Sequence, residues 1–348
     1  MSLIQEPIFT QAEYTFPAPV NSSPGTSDGS NYLPFGDFIP NLALYPLPDG
    51  AAHPGILILP GGGYAFTSNR EGEIVAEAFN ALGFHTFVLT YTVNPLQNTP
   101  LKLQPLKDAS RAVRYLRKNA ERFHLIPDRL AILGFSAGAH LAGSLLVHSD
   151  SEALAEAGDY NDFSNLPDAG ILCYPVITSG EHAHRGSFDN LLGTNASDEE
   201  LAYMSLENHV TEATPPIFLW HTLTDESVPV ENSFLMEAAL RRTGVRHEMH
   251  LFNRGGHGLS LANDAWLHCG RKGDYTYEPF FKAVESALSS GTPLPPPYEH
   301  LPSAVKTIDD FKELYFAGSE MIRSRQRTYP EIAVWPTLAA KFLNSLEE

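Results

Sequence analysis

The sequence predicts an α/β fold in which a mostly parallel central sheet carries helices on both faces. Three observations support this. Apolar runs of strand length alternate with stretches of helical period from residue 41 onward, and repeated strand–helix units build parallel sheets covered on both sides. A serine flanked by glycines stands at one strand-to-helix junction. Glycine-rich segments follow two further strands, at the carboxyl ends where such sheets collect ligands.

Residues 1–40 are rich in Pro, Ser, Gly and Asn with scattered aromatics and no sustained period, which predicts an irregular arm packed across the body. Leu42 to Tyr45 and Ile56 to Leu59 are short apolar runs bounded by Pro and Gly, as strands are. Ile74, Val75, Ala78, Phe79 and Leu82 then fall at helical spacing, and Gly83 supplies a stop. Phe84 to Tyr91 reads as a strand, Leu106 to Phe123 as a helix, and Leu130 to Leu133 as a strand entered through Pro127-Asp128. The alternation continues with a helix from Ala137 to Val147, strands at Ile171 to Val176 and Ile217 to His221, a helix from Val230 to Arg242, and a strand from Val245 to Phe252. From 267 to 328 the chain is rich in Tyr, Phe and Pro, and the last clear helical pattern is Trp335 to Leu346. The simplest division is one unit of 1–348, with an N-terminal arm of 1–40 and an insertion of 267–328 before the closing helix.

Composition narrows the function. The 348 residues are 43% hydrophobic and 18% charged, a globular balance able to bury a large core. With 23 Lys and Arg against 41 Asp and Glu, the formal net charge of −18 repels polyanions. It argues against nucleic acid or an anionic membrane as partner, so a small neutral substrate is expected. Two cysteines, Cys173 and Cys269, are too few for a disulfide scaffold or a four-cysteine zinc site. The first twenty residues lack a basic start followed by an apolar run, which makes the cytoplasm the default location.

The sharpest motif is Gly134-Phe135-Ser136-Ala137-Gly138, a G-x-S-x-G between a strand and an apolar helix. A tight strand-to-helix turn lifts its central serine clear of the sheet and needs small flanking residues. Ser136 is therefore the candidate nucleophile, at a helix N-terminus whose dipole favours negative charge. Acyl transfer also needs backbone N–H donors for the developing oxyanion. The N–H of Ala137 is one candidate. Gly62 and Gly63, in the run Pro60-Gly61-Gly62-Gly63-Tyr64 after a strand, are the others. A dinucleotide fingerprint fails there because Phe66 occupies its third glycine position.

A serine nucleophile needs a base, and the base an orienting acid. The strand Ile217 to His221 leads into Asp225, with Glu226 beside it as the alternative acid. His257, in Arg254-Gly255-Gly256-His257-Gly258 after the last strand, has the loop freedom to reach Ser136. His140 inside a helix and His221 at a strand end read as packed or hydrogen-bonding residues. Glu181-His182-Ala183-His184 lacks convincing further ligands, so no metal and no cofactor are assigned.

Taken together and in this order, the motifs at 60–64, 134–141, 174–176, 221–226 and 256–258 resemble the α/β-hydrolase esterases of the acetyl xylan esterase type, relatives of the hormone-sensitive-lipase group. The resemblance runs from about Asn41 to Leu267 and resumes at the final helix. It implies an α/β-hydrolase fold and hydrolysis of small acyl esters, often acetyl groups on sugars. Two departures stand out: Pro60 replaces the histidine that precedes the glycines in the lipase group, and 267–328 exceeds the family core. A serine peptidase of the prolyl-oligopeptidase type and a non-catalytic binding module on the same scaffold are the alternatives.

Overall fold

Along β3 (His53–Leu59), Leu57 and Leu59 enter one apolar core while Ile56 and Ile58 enter another. Successive side chains of a strand point to opposite faces, so a near-continuous apolar run marks a strand buried on both sides. The same division splits Leu130 and Ile132 from Ala131 and Leu133, and Leu219 from Phe218 and Trp220.

The computed structural model describes residues 3–14, 16, 38–97, 99–156 and 158–347. Within them the strands are β1 (Ile4–Pro7), β2 (Asn41–Tyr45), β3, β4 (His85–Thr90), β5 (Leu125–Phe135), β6 (Ala169–Cys173), β7 (Ile217–Thr222) and β8 (His247–Phe252). They form one eight-stranded sheet in the order β1-β2-β4-β3-β5-β6-β7-β8. The first two join antiparallel, and every pairing from β4 to β8 is parallel. The helices are α1 (Glu73–Asn80), α2 (Gln104–Lys118), α3 (Ala120–Phe123), α4 (Ala137–His148), α5 (Arg185–Leu192), α6 (Asp198–Tyr203), α7 (Glu231–Thr243), α8 (Asp264–Leu267), α9 (Glu278–Ser290), α10 (Ile308–Arg323) and α11 (Trp335–Asn344). One face of the sheet is covered by α2, α4 and α7, through residues such as Val113, Leu145 and Leu240. The other is covered by α1 and α11, through Phe79, Trp335 and Phe342. No helix among the described residues is long and apolar enough to cross a membrane.

Three local expectations need correction. The arm is not wholly irregular, because Ile4 to Pro7 pair with Leu44 to Asn41 as an edge strand; residues 17–37, the core of the Pro/Ser/Gly-rich stretch, lie outside the described residues. The strand before the serine begins at Leu125, and its register against β3 shifts between His53 and Gly55, taking up the extra residues around Pro127-Asp128. The segment 267–328, expected to hold no clear helical pattern, carries two helices of 13 and 16 residues. Its helices α9 and α10 pack Phe280, Phe281, Phe311 and Phe316 around Tyr277 in a third apolar cluster that reaches Leu96 and Phe66. That cluster abuts the segment following Gly63. There Thr67 Oγ donates to the Thr276 carbonyl, Thr276 Oγ donates back to the Thr67 carbonyl at 2.9 Å, and Asn69 Nδ2 donates to the Lys272 carbonyl at 2.9 Å.

Candidate active site

Ser136 joins the end of β5 to the first residue of α4 with φ 53° and ψ −118°, a conformation that non-glycine residues seldom adopt. The flanking glycines are required by space. A Cβ on Gly134 would lie 2.2 Å from the Gly138 carbonyl oxygen, and one on Gly138 would lie 2.2 Å from that of Leu59. The five-residue motif is thus the local sequence that lets β5, α4 and the end of β3 pass at van der Waals distance.

Ser136 Oγ lies 2.8 Å from His257 Nε2, and His257 Nδ1 lies 2.7 Å from Asp225 Oδ2. The chain reaches this geometry through Gly255 and Gly258, both at positive φ. Asp225 is fixed in turn: Oδ1 accepts the N–H groups of Ser227 and Val228 at 2.9 Å each, and Oδ2 also lies 3.3 Å from His221 Nε2. Burial works against its charge, but the contacts with His221 and His257 and the Val228 amide overcome it and hold the carboxyl well below the usual carboxylate range. An ionised Asp225 accepts the Nδ1 proton of His257, which leaves Nε2 as the lone pair facing Ser136. Glu226, the alternative acid, is exposed and lies near the Gly256 backbone. His221 is fully buried, with Nδ1 2.8 Å from Ser233 Oγ, so it stands behind the acid.

The glycine loop lies directly in front of the serine, since a Cβ on Gly61 would come within 3.0 Å of Ser136 Cβ. Gly62 has φ 139°, and a Cβ there would meet the Phe66 carbonyl at 2.2 Å. Among the described residues, the backbone N–H groups of Gly62, Gly63 and Ala137 have no protein acceptor. Ala137 opens a helix, whose first N–H groups have no partner within it. The loop is tied on either side: Asn190 Nδ2 donates to the Gly63 carbonyl at 2.8 Å, and the Asn94 N–H donates to the Tyr64 carbonyl at 2.7 Å. Tyr64 also reaches His140 Nδ1 at 2.8 Å, while His140 Nε2 bonds the Met204 carbonyl at 2.9 Å. Burial pushes His140 down to about 4, so it is neutral, donating from Nε2 and accepting at Nδ1. Pro60, at the departure from the lipase pattern, offers its carbonyl to Tyr91 Oη at 2.6 Å.

Several residues at this site escaped sequence reasoning. Glu71, 5% exposed, accepts the Gly61 N–H at 2.8 Å and the Tyr174 hydroxyl at 2.6 Å. Its setting, Asn69-Arg70-Glu71 ahead of α1, reads as a solvated helix start, and the only signal was its closeness to the glycine run. His184 lies near His257 and Asp225, and burial pushes its imidazole down. No group of three potential metal ligands occurs among the described residues. Beside the glycine loop, next to Asn190, opens a polar cleft of about 460 Å³ lined by Asn94, Gln97, Lys102, Asp189 and Asn195.

A family model, BD-FAE, matches residues 43–240, which span β2 to α7 and include Ser136 and Asp225. The chain belongs to the BD-FAE family. Its fold is that of the α/β hydrolases, as the structural neighbours of this family member show. It is 45% identical over 253 residues to endo-1,4-beta-xylanase B of Butyrivibrio fibrisolvens, covering 73% of this chain and 40% of that protein. It is 29% identical over 221 residues to the acetylxylan esterase of Xylanibacter ruminicola, covering 62% and 43%. The chain thus spans about two fifths of the length of these curated relatives. Among solved structures it is similar to an acetyl ester-xyloside bifunctional hydrolase from Caldicellulosiruptor lactoaceticus, with 37% identity, a TM-score of 0.63 and coverage of 81% of this chain and 96% of that one. The carboxylesterase Cest-2923 of Lactobacillus plantarum is another neighbour, at 26% identity and TM-score 0.53, covering 73% and 94%.

Proposed function

We propose that the protein is a serine carboxylesterase that removes small acyl groups, acetyl above all, from neutral carbohydrate esters. One observation carries the reading: Ser136 Oγ sits 2.8 Å from a histidine nitrogen whose other nitrogen faces a buried carboxylate at 2.7 Å. His257 takes the Ser136 proton as the oxygen attacks the ester carbonyl, and Asp225 stabilises the imidazolium. The N–H groups of Gly62, Gly63 and Ala137 receive the oxyanion, each such donor contributing on the order of 3 kcal/mol. The alcohol leaves with the proton from His257, and a water activated by the same nitrogen releases the acid from the acyl-enzyme.

Three features support the carbohydrate half. Two relatives carry names that concern xylan, the net charge of −18 disfavours anionic substrates, and the cleft beside the glycine loop is lined by amide, carboxylate and amine side chains suited to hydroxyl groups. The test is hydrolysis of p-nitrophenyl acetate and acetate release from acetylated xylo-oligosaccharides by the wild type and by Ser136→Ala. The variant is expected to lose both activities and labelling by a fluorophosphonate. Full turnover by Ser136→Ala would refute the assignment.

A further inference from the structure

Glu71 is a buried carboxylate that the reaction as written does not use. Its two oxygens meet two donors. The Gly61 N–H donates to Oε2 at 2.8 Å. The Tyr174 hydroxyl contacts Oε1 at 2.6 Å and accepts the Ser260 N–H at 3.0 Å, so its own proton is directed at Glu71. Each oxygen of the carboxyl thus accepts one hydrogen bond, the role a carboxylate fills. Burial pushes the carboxyl up from its usual range, while the bonds from Tyr174 and Gly61 and the positive charge at Arg70 favour the anion.

The bonds lead to both halves of the site. Gly61 begins the glycine loop. Ser260 lies three residues beyond His257, its Oγ donates to the Arg70 carbonyl at 2.7 Å, and the Tyr174 ring packs edge-on against the His257 imidazole with centroids 5.0 Å apart. Gly61 itself admits the carboxylate: a Cβ there would lie 3.0 Å from Glu71 Oε2 and 2.5 Å from the Phe135 carbonyl. One side chain therefore spans from the oxyanion loop to the histidine loop beneath Ser136.

We propose that Glu71 is a positioning residue of this site, whose carboxylate holds the Gly61–Gly63 loop and, through the Tyr174 hydroxyl, the His257 loop in fixed relation to Ser136. The inference rests on the esterase reading. Its effect falls on the transition state, because the oxyanion donors and the base act on charge that develops only there.

The experiment compares the wild type, Glu71→Gln, Tyr174→Phe and the double variant on p-nitrophenyl acetate, with kcat and KM normalised to folded protein. Glutamine keeps the size but presents one acceptor to two donors, and Tyr174→Phe deletes the oxygen joining the two loops while keeping the ring. Each single change is expected to lower kcat about 10- to 100-fold with KM near the wild-type value. The double variant should lose no more than the stronger single, because both changes break one network. Wild-type kcat in either variant, a loss confined to KM, or independent losses that multiply would overturn the proposal. If Glu71→Gln does not fold, Tyr174→Phe decides through the same split between kcat and KM. An inactive wild type would overturn the esterase reading and this inference with it, whereas an active wild type with unaffected variants overturns the inference alone.

Discussion

Replacing Asp225 by asparagine should invert the hydrogen-bond order of the site while leaving its shape intact. Asp225 Oδ1 accepts two backbone N–H groups, from Ser227 and Val228. An asparagine in the same place must keep its oxygen on that side, since an NH2 group there would face two donors. Its nitrogen is then forced into the position of Oδ2, 2.7 Å from His257 Nδ1 and 3.3 Å from His221 Nε2. His257 can accept from it only through an unprotonated Nδ1, which moves the ring proton to Nε2, toward Ser136 Oγ. The base can no longer take the serine proton. A wrong-tautomer change of this kind lowers kcat about 10⁴-fold, or roughly 5.5 kcal/mol of transition-state stabilisation. The assay is steady-state hydrolysis of p-nitrophenyl acetate, with circular dichroism to show the fold is retained. A folded Asp225→Asn enzyme within about tenfold of wild-type kcat would refute both the orienting role and the tautomer argument.

Other outcomes follow from the same geometry. Gly138→Ala places a Cβ 2.2 Å from the Leu59 carbonyl oxygen, so the end of β3 must shift; a loss of about 1–3 kcal/mol is expected in urea unfolding, and unchanged stability would contradict the close-approach argument. His140 is held at about 4 against an ordinary 6.5 by burial. The unfolded chain therefore binds a proton that the folded chain refuses, so the stability this residue contributes is present above about 6.5 and lost as pH falls toward 4, up to roughly 3 kcal/mol. His140→Gln should flatten that slope in urea titrations run between about pH 7 and pH 4.5, and an equally steep slope in the variant would dismiss His140 as the cause. Asp189→Ala and Asn195→Ala, both in the polar cleft, are expected to reduce kcat/KM for acetylated xylo-oligosaccharides while sparing p-nitrophenyl acetate. Equal effects on both substrates would detach the cleft from sugar recognition.

The parts of the molecule legible in sequence are those governed by neighbours along the chain. Alternating apolar runs and helical periods locate the strands from Asn41 to Phe252 because burial on both sheet faces imposes those patterns. The helices α9 and α10 were missed although their signals are present. Pro279 opens α9 and Gly291 closes it, while Thr307 and Asp310 form a capping box for α10. Their crowded aromatic residues obscured the period, since those rings pack on each other in a satellite cluster rather than along one stripe against the sheet.

The site divides along the same line. Ser136 is marked locally, because a strand-to-helix turn this tight forces glycine at 134 through the Gly138 backbone, while the glycine at 138 makes room for the end of β3. His257 was narrowed by its glycines and its place after the last strand. Asp225 and Glu226 are equivalent by composition and position. Folding separates them, placing the first against His257 and two backbone amides and leaving the second exposed. Glu71 and Tyr174 are 103 residues apart in the chain, and nothing local to either one announces the hydrogen bond between them. Sequence by itself determined the architecture and the serine-bearing turn, since backbone sterics and periodicity act over a few residues. Only tertiary structure decided which carboxylate lies against the histidine and which one meets the glycine loop, because hydrogen bonds and burial depend on distance in space between segments that the chain order leaves far apart.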